Sequence, residues 1–393
     1  MGFRTWVAAA ALSLAIAARA ETPASEVPTE AVVADLPFLD WPEVNRVVVN
    51  LAPEGSRKFQ LILDTGASDS VLTPRYAKEL GVSIRRARDR PYERDTVLGR
   101  PLQFWVDVGS SESASRTGWE YGLLGGTFLA DYVVELDFPH RHVRFLDPDR
   151  VEVPKEVHAE NEAVVPLRVV GNRLIAEVQL DGKPVDVMVD TGAPGTMLLS
   201  GKSASKAGFD RPALARMQTG GVLGATESEL VEAETLALGP FVWKSVPLER
   251  LPHGFYNQGG SSDSLIGYEV LSHFLVRLDY RRKRMWLRRA DEAPLAWFGV
   301  PWATTRRTGL LGAVGDGGIE VYGILPDSPA AKLGLQPGDE IEFHRDRPRN
   351  QELEETFGTI ERGEKLRVVR PKGPGEPPEQ IELGGEKPES PAN

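Results

Sequence analysis

The chain has 393 residues, enough for two or three domains. Its 41% hydrophobic and 26% charged content is that of an ordinary globular protein, which excludes collagen-like, wholly disordered and polytopic membrane classes. With 57 acidic against 46 basic residues the formal net charge is −11, no long basic run offers a footprint for nucleic acid, and the absence of cysteine excludes disulfides, thiol nucleophiles, Fe–S clusters and Cys-ligated zinc.

The first predicted element is an export signal. Arg4 precedes the apolar run Trp6–Ala18, and Ala18 and Ala20 put small residues at −3 and −1 of a cut before Glu21. That run is short for a spanning helix. Residues 1–20 are therefore expected to be removed, leaving an exported product, periplasmic or secreted, with no stable membrane span. Residues 21–35 read as a flexible segment. An internal repeat then organises the chain. RVVVNLAPEGSRKFQLILDTGASDSVLTPRYAKELG (46–81) and RLIAEVQLDGKPVDVMVDTGAPGTMLLSGKSASKAG (173–208) share a strand, a turn, a second apolar strand, Asp-Thr-Gly-Ala, another apolar stretch, a short helix and Gly. Asp181-Gly182 is a two-residue hairpin signal and Pro53-Glu54-Gly55 a looser one. Thr73-Pro74 offers a helix N-cap and first-turn proline, and Gly81 a stop. The similarity resumes in GLLGGTFLADYVVELDFPHRHVRF (122–145) and SLIGYEVLSHFLVRLDYRRKRMWL (264–287). Two such halves, 36–150 and 151–292, predict a mainly β, duplicated fold.

After the acidic linker Arg289–Pro294 the texture changes. Residues 296–383 hold the run GLLGAVGDGGIEVYGILPDSPAAKLGLQPGDEIEFHR, a helix near Gln351–Ile360 and strands at Lys365–Arg370 and Gln380–Leu383. The Pro/Glu-rich tail 384–393 reads as disordered.

The chemistry is in the paired Asp-Thr-Gly-Ala segments. One Asp-Thr-Gly is an ordinary turn sequence. Two copies, each ending a buried strand and each in register within a repeat, set Asp64 and Asp190 face to face across a pseudo-two-fold axis. Two carboxyls within hydrogen-bond reach share one proton, which supplies a general base and a general acid in one site. Gly66 and Gly192 allow the backbone to approach the carboxylates, and Thr65 and Thr191 are placed to bond across the axis. Leu123-Leu124-Gly125 and Leu265-Ile266-Gly267 are expected behind these loops.

The duplicated Asp-Thr-Gly-Ala with its downstream apolar-apolar-Gly resembles the aspartic peptidases, in particular the bacterial retropepsin-like group, over about residues 40–290. The resemblance implies a two-lobed β-fold on one chain, Asp64 and Asp190 as catalytic aspartates, peptide-bond hydrolysis by activated water, polypeptide substrates and neither metal nor cofactor. Both aspartates lie on one chain, which implies a monomer. Ala67 and Ala193 follow the glycines as in the retroviral type, so a less acid optimum than a stomach-type enzyme's is expected. Pro194 departs from the commoner polar residue. By the same resemblance, the glycine-rich Gly220, Gly221, Val222, Leu223 and Gly224 are the candidate flap over the cleft. The equivalent stretch of the first half, Arg90–Leu102, is shorter.

Ser328-Pro329-Ala330-Ala331 and Gly334-Leu335-Gln336-Pro337-Gly338-Asp339 resemble a bacterial-type PDZ domain, a small α+β module. There Gly309, Leu310, Leu311 and Gly312 would be the loop that binds a peptide C-terminal carboxylate, making protein C-termini a second class of partner. Three other patterns read as ordinary structure. Gly201-Lys202-Ser203 lacks the upstream Gly of a phosphate loop. His140 and His142 have no third metal ligand nearby, and Arg281–Arg284 forms a solvated hairpin turn. An alternative to the exported endopeptidase is a catalytically silent, peptidase-like peptide-binding protein acting through its PDZ domain.

Overall fold

The computed structural model describes residues 27–39, 45–51, 60–79, 81, 92–106, 122–157, 159–221, 224–251, 264–290, 292–293, 295–314, 317–343, 349–372 and 376–384. The expected signal (1–20), the turn at 53–55, residues 222–223 of the candidate flap and the tail beyond residue 384 lie outside the described residues.

The first half contains β1 (Val32–Pro37), β2 (Val48–Asn50), β3 (Gln60–Leu63), β4 (Val71–Leu72), α1 (Pro74–Glu79), β5 (Tyr92–Val97), β6 (Arg100–Val106), β7 (Gly122–Leu124), α2 (Gly126–Leu129), β8 (Val133–Asp137) and β9 (His142–Leu146). Part of the segment expected to be flexible is regular structure, since a 3₁₀ turn at Thr29–Ala31 leads into β1, which pairs antiparallel with β9. Its partner lies far along the chain, so local patterning does not reveal the strand. At α1, Thr73 Oγ1 accepts the Tyr76 N–H (3.3 Å). Strands of this half form a sheet in the order β2-β3-β7-β4-β6-β5, in which β3–β7 and β4–β6 are parallel.

The second half contains β10 (Glu162–Pro166), β11 (Arg168–Val170), β12 (Arg173–Leu180), β13 (Lys183–Val189), β14 (Met197–Leu199), α3 (Gly201–Ala207), β15 (Ala215–Gly221), β16 (Gly224–Leu238), β17 (Phe241–Arg250), β18 (Leu265–Ile266), α4 (Tyr268–Leu271), β19 (Phe274–Asp279) and β20 (Arg284–Arg289). β12 and β13 are joined by Asp181 and Gly182, both at positive φ (48° and 72°), the geometry that a two-residue hairpin with right-handed strand twist demands. The sheet runs β11-β12-β13-β18-β14-β17-β16-β15. Its stretch from β12 to β16 repeats the order of the first sheet, and β15 is an addition that pairs with β16.

A third sheet, β1-β9-β8-β19-β20-β10, joins the halves. At its centre β8 and β19 run antiparallel with Glu135 opposite Arg277. Glu135 is fully buried, and its carboxylate accepts from Arg277 and pairs with Arg144. One hydrophobic cluster runs through both halves, from Leu61 and Phe145 to Val187 and Phe274.

The C-terminal part comprises β21 (Ala296–Trp297), β22 (Val300–Pro301), α5 (Trp302–Thr308), β23 (Leu310–Val314), β24 (Gly318–Ile324), α6 (Pro329–Leu333), β25 (Glu340–Glu342), α7 (Arg349–Arg362), β26 (Leu366–Arg370) and β27 (Glu379–Leu383). Its sheet, β23-β24-β25-β26-β27, packs a separate core that includes Ile319, Val321, Ile341, Phe357 and Ile360. Gly309–Gly312, the expected carboxylate loop, lie where α5 passes into β23. Gly309 ends α5 in the left-handed region (φ 75°), the Leu310 N–H is taken by Thr308 Oγ1 (3.2 Å), and Leu310–Gly312 enter the buried strand β23. A helix terminating at Gly uses the conformation only Gly adopts without strain, and the strand begins at once.

Candidate active site

Each aspartate is fixed at the end of a strand by its neighbour in the sheet. The Asp64 N–H, after β3, donates to Leu124 O of β7 (3.0 Å), and the Asp190 N–H, after β13, donates to Ile266 O of β18 (3.0 Å). The following turn folds back on the carboxylate. Asp64 Oδ1 accepts the N–H groups of Gly66 (2.8 Å) and Ala67 (2.9 Å), and Asp190 Oδ1 those of Gly192 (2.9 Å) and Ala193 (3.1 Å).

The two loops interlock through their threonines. Thr65 Oγ1 donates to Val189 O (2.6 Å) and accepts from the Thr191 N–H (3.1 Å); Thr191 Oγ1 donates to Leu63 O (2.5 Å) and accepts from the Thr65 N–H (3.2 Å). Both side chains are fully buried. Each hydroxyl is thus a donor and an acceptor at once, with no polar group left unmatched. The glycines set the approach. A Cβ on Gly66 would stand 2.5 Å from the Asp190 carboxyl carbon, and one on Gly192 would stand 2.6 Å from that of Asp64. Gly125 and Gly267 lie equally close behind the loops, where a Cβ would meet Asp69 O at 2.2 Å and Gly195 O at 2.4 Å.

One backbone bond differs between the loops. In the first loop the Thr127 N–H reaches Ser68 O (2.9 Å), whereas in the second the Glu269 N–H reaches Gly195 O (3.3 Å).

The carboxyls of Asp64 and Asp190 hydrogen-bond to each other, and both aspartates are buried. Burial pushes both above the ordinary carboxylate value. The hydrogen bond from Asp190 and the N–H groups of Ala67 and Gly66 oppose this at Asp64, while the Asp64 charge drives Asp190 further up. The pair therefore holds one proton over a wide range. Such a pair can take a proton from water at one oxygen and give one from another.

Patterning alone did not single out the surrounding shell. Arg46 is half-buried, and the charges of both aspartates oppose the fall that burial imposes on its guanidinium. Glu269 of α4 accepts from Asn45 Nδ2 (2.5 Å) and from the Gly299 N–H (3.0 Å), and burial raises its carboxyl to about 7. The signal for Arg46 was present, since Arg46 and Arg173 open the two repeats. Nothing in the sequence marked Glu269, which aligns with Thr127.

The candidate flap lies on the β15–β16 hairpin, where Gly220 faces Ala225 and Gly221 faces Gly224. Gly309–Gly312 stand apart as the strand start described above. His140 Nδ1 pairs with Asp137 (2.9 Å) and His142 Nδ1 with Asp35 (2.8 Å). Among the described residues no cluster of His, Asp and Glu is placed to hold a metal ion, and no helix is long and apolar enough to cross a membrane.

Comparison with curated proteins gave no match. Among solved structures, a retropepsin-like aspartic protease from Rickettsia conorii aligns at 20% identity over 32% of this chain and 89% of its own, with a TM-score of 0.25. Residues 176–270, the stretch from β12 through Asp190 and the hairpin to α4, match the aspartyl protease family and form an aspartyl protease domain.

Proposed function

We propose that the protein is an exported, monomeric aspartic endopeptidase whose catalytic residues are Asp64 and Asp190. Residues 36–150 and 151–292 are its two lobes, the β15–β16 hairpin its flap, and residues 296–383 a PDZ domain that aids substrate selection or regulation. The observation that carries this reading is the reciprocal lock: two Asp-Thr-Gly loops, each threonine bonded into the opposite loop, bring two buried carboxyls together. Ionised Asp64 takes a proton from a water held between the carboxyls. The resulting oxygen nucleophile attacks the amide carbon while protonated Asp190 donates to the carbonyl oxygen, and proton return to the nitrogen completes cleavage. The backbone N–H groups on each Oδ1 hold the carboxyls in place through these transfers.

The test is cleavage of an unfolded protein by residues 21–393, across about pH 3 to 8, beside Asp64→Asn and Asp190→Asn. Loss of one member of an acid–base pair removes roughly 10²–10⁴-fold in rate, so both variants should be inactive within the detection limit of most assays. The wild type should fall off on the alkaline side as Asp190 ionises and on the acid side as Asp64 protonates. Cleavage persisting in both variants sinks the dyad. A wild type that cleaves nothing but still binds peptides favours the silent binding protein.

A further inference from the structure

The C-terminal part reaches the catalytic loops themselves. The β21–β22 hairpin turns at Phe298 and Gly299, and each end of this turn is tied to the site. The Thr196 hydroxyl, on the loop after Asp190, donates to Ala296 O (3.4 Å), and the Gly299 N–H donates to Glu269, which also holds Asn45 next to Arg46. Phe298 has a positive φ of 48°, an unfavourable backbone for an aromatic residue that the surrounding bonds impose. That conformation sets its ring against the catalytic loop, where a Cβ on Gly195 would lie 4.0 Å from the ring's Cζ.

A second aromatic stands behind it. Tyr322 of β24 meets Phe298 edge to face, with centroids 6.0 Å apart, and remains 39% exposed. Its hydroxyl donates to Glu320 Oε2 (3.3 Å), which fixes the ring on the outer face of the sheet. Tyr322 is also near enough to Arg46 for its charge to bear on the guanidinium, as those of both aspartates do. β24 runs beside β15, the strand that leads to the flap tip. The whole contact is seated on a buried apolar cluster of Met217, Leu230, Trp297, Trp302 and Leu311, and Trp302 Nε1 donates to Glu232 on β16 (2.6 Å). The two rings are therefore held in position, against the loop that follows Asp190, by parts of the chain that precede and follow them.

We infer that Phe298 and Tyr322 form a specificity-determining wall of the peptide cleft, taking an apolar or aromatic side chain of the substrate close to the scissile bond. This rests on the peptidase reading above. An open aromatic face with a preset edge-to-face neighbour offers large apolar contact at little entropic cost. Glu320 beside it disfavours an acidic side chain there.

The test uses residues 21–393 and a set of octapeptides that differ at one position by Phe, Leu, Ala or Asp, scanned along the peptide. The wild type should prefer Phe or Leu over Ala by roughly 10-fold or more in kcat/KM at one position near the cleaved bond. Tyr322→Ala should bring that ratio towards one, mainly through KM, and Phe298→Ala should do the same while also lowering kcat, because its ring lies against the loop after Asp190. Tyr322→Phe should keep the preference. Tyr322 is exposed, so Tyr322→Ala carries the test if Phe298→Ala fails to fold. A wild type without such a preference, or one unchanged in a folded Tyr322→Ala, overturns the proposal. If the wild type cleaves none of the peptides, the peptidase reading fails on its own. The wall is then judged by Kd for the same peptides on Asp64→Asn, where an unchanged Phe-to-Ala ratio on adding Tyr322→Ala overturns it.

Discussion

The two halves of the chain match at the axis between them and differ at the rim. Around a two-fold axis a residue meets its own counterpart. Asp64 meets Asp190 and Thr65 meets Thr191; a carboxyl facing a carboxyl shares a proton, and a hydroxyl facing a hydroxyl both gives and accepts. At aligned positions 135 and 277 the outcome is different. Two buried glutamates would repel, and there Glu135 faces Arg277. Complementary charges at one position of a repeat require two unlike halves on one chain. At the rim, among the described residues, the second half alone carries a strand like β15, and against it lies the C-terminal part. The chemistry is thus built on likeness, and the coverage of the site on difference.

The charge pair is the place where breaking the comparison should cost most. Glu135→Gln leaves the buried Arg277 without its counter-charge, and loss of one partner of a buried pair costs about 3–5 kcal/mol. Urea unfolding should show that loss. Exchanging Glu135, Arg277 and Arg144 together for Leu should recover most of it, because the desolvation cost of the whole charge cluster disappears with it. No recovery would mean that the halves depend on charge at this position.

Glu269 should give the next largest effect, through pH. Its carboxyl sits at about 7 against an ordinary 4.5 because burial disfavours the charged form, and the Gly299 N–H and Asn45 only partly offset this. The folded state therefore binds the proton more tightly than the unfolded chain does. The resulting stability is fully present below about 4.5 and is lost as pH rises through 7, a change of roughly 3 kcal/mol. Both aspartates are raised as well and add a slope of the same sign. Thermal unfolding followed between those pH values should show the fall, and Glu269→Gln should flatten it in part. Thr127, the aligned residue of the first half, has no charge to titrate, so Thr127→Val should leave the slope as it is.

What was legible in the sequence follows the range of the interaction. Asp-Thr-Gly-Ala, the apolar strands before it and Gly125 and Gly267 behind it are short-range consequences of a tight turn against a neighbouring strand, and they stand out when repeated. Asp181-Gly182 is legible for the same reason. The strand β1 was hidden because β9, its partner, is distant in the chain. Glu269 was hidden because a single helical glutamate is ordinarily solvated, and only tertiary burial by Asn45 and Gly299 makes it otherwise. Nothing in the sequence marked Phe298 and Tyr322. Their position against the loop after Asp190 depends on the Trp302–Glu232 and Gly299–Glu269 bonds, which no local pattern encodes.

The threonines compare the halves most directly. Thr65→Val removes the acceptor of the Thr191 N–H and the donor to Val189 O; Thr191→Val does the same to the Thr65 N–H and Leu63 O. Each buried group left unmatched costs about 1–3 kcal/mol. The two single variants should lose similar stability in urea, and the double variant less than their sum, since each hydroxyl also serves the other. Activity should not be so even. The second loop is braced from outside by Thr196 on Ala296 and by Phe298 against Gly195, whereas among the described residues the first has no such support from the C-terminal part. Thr65→Val should therefore lower kcat more than Thr191→Val, because the loop it frees has less to hold Asp64 against Asp190. Equal losses in kcat would show that the brace does not reach the dyad.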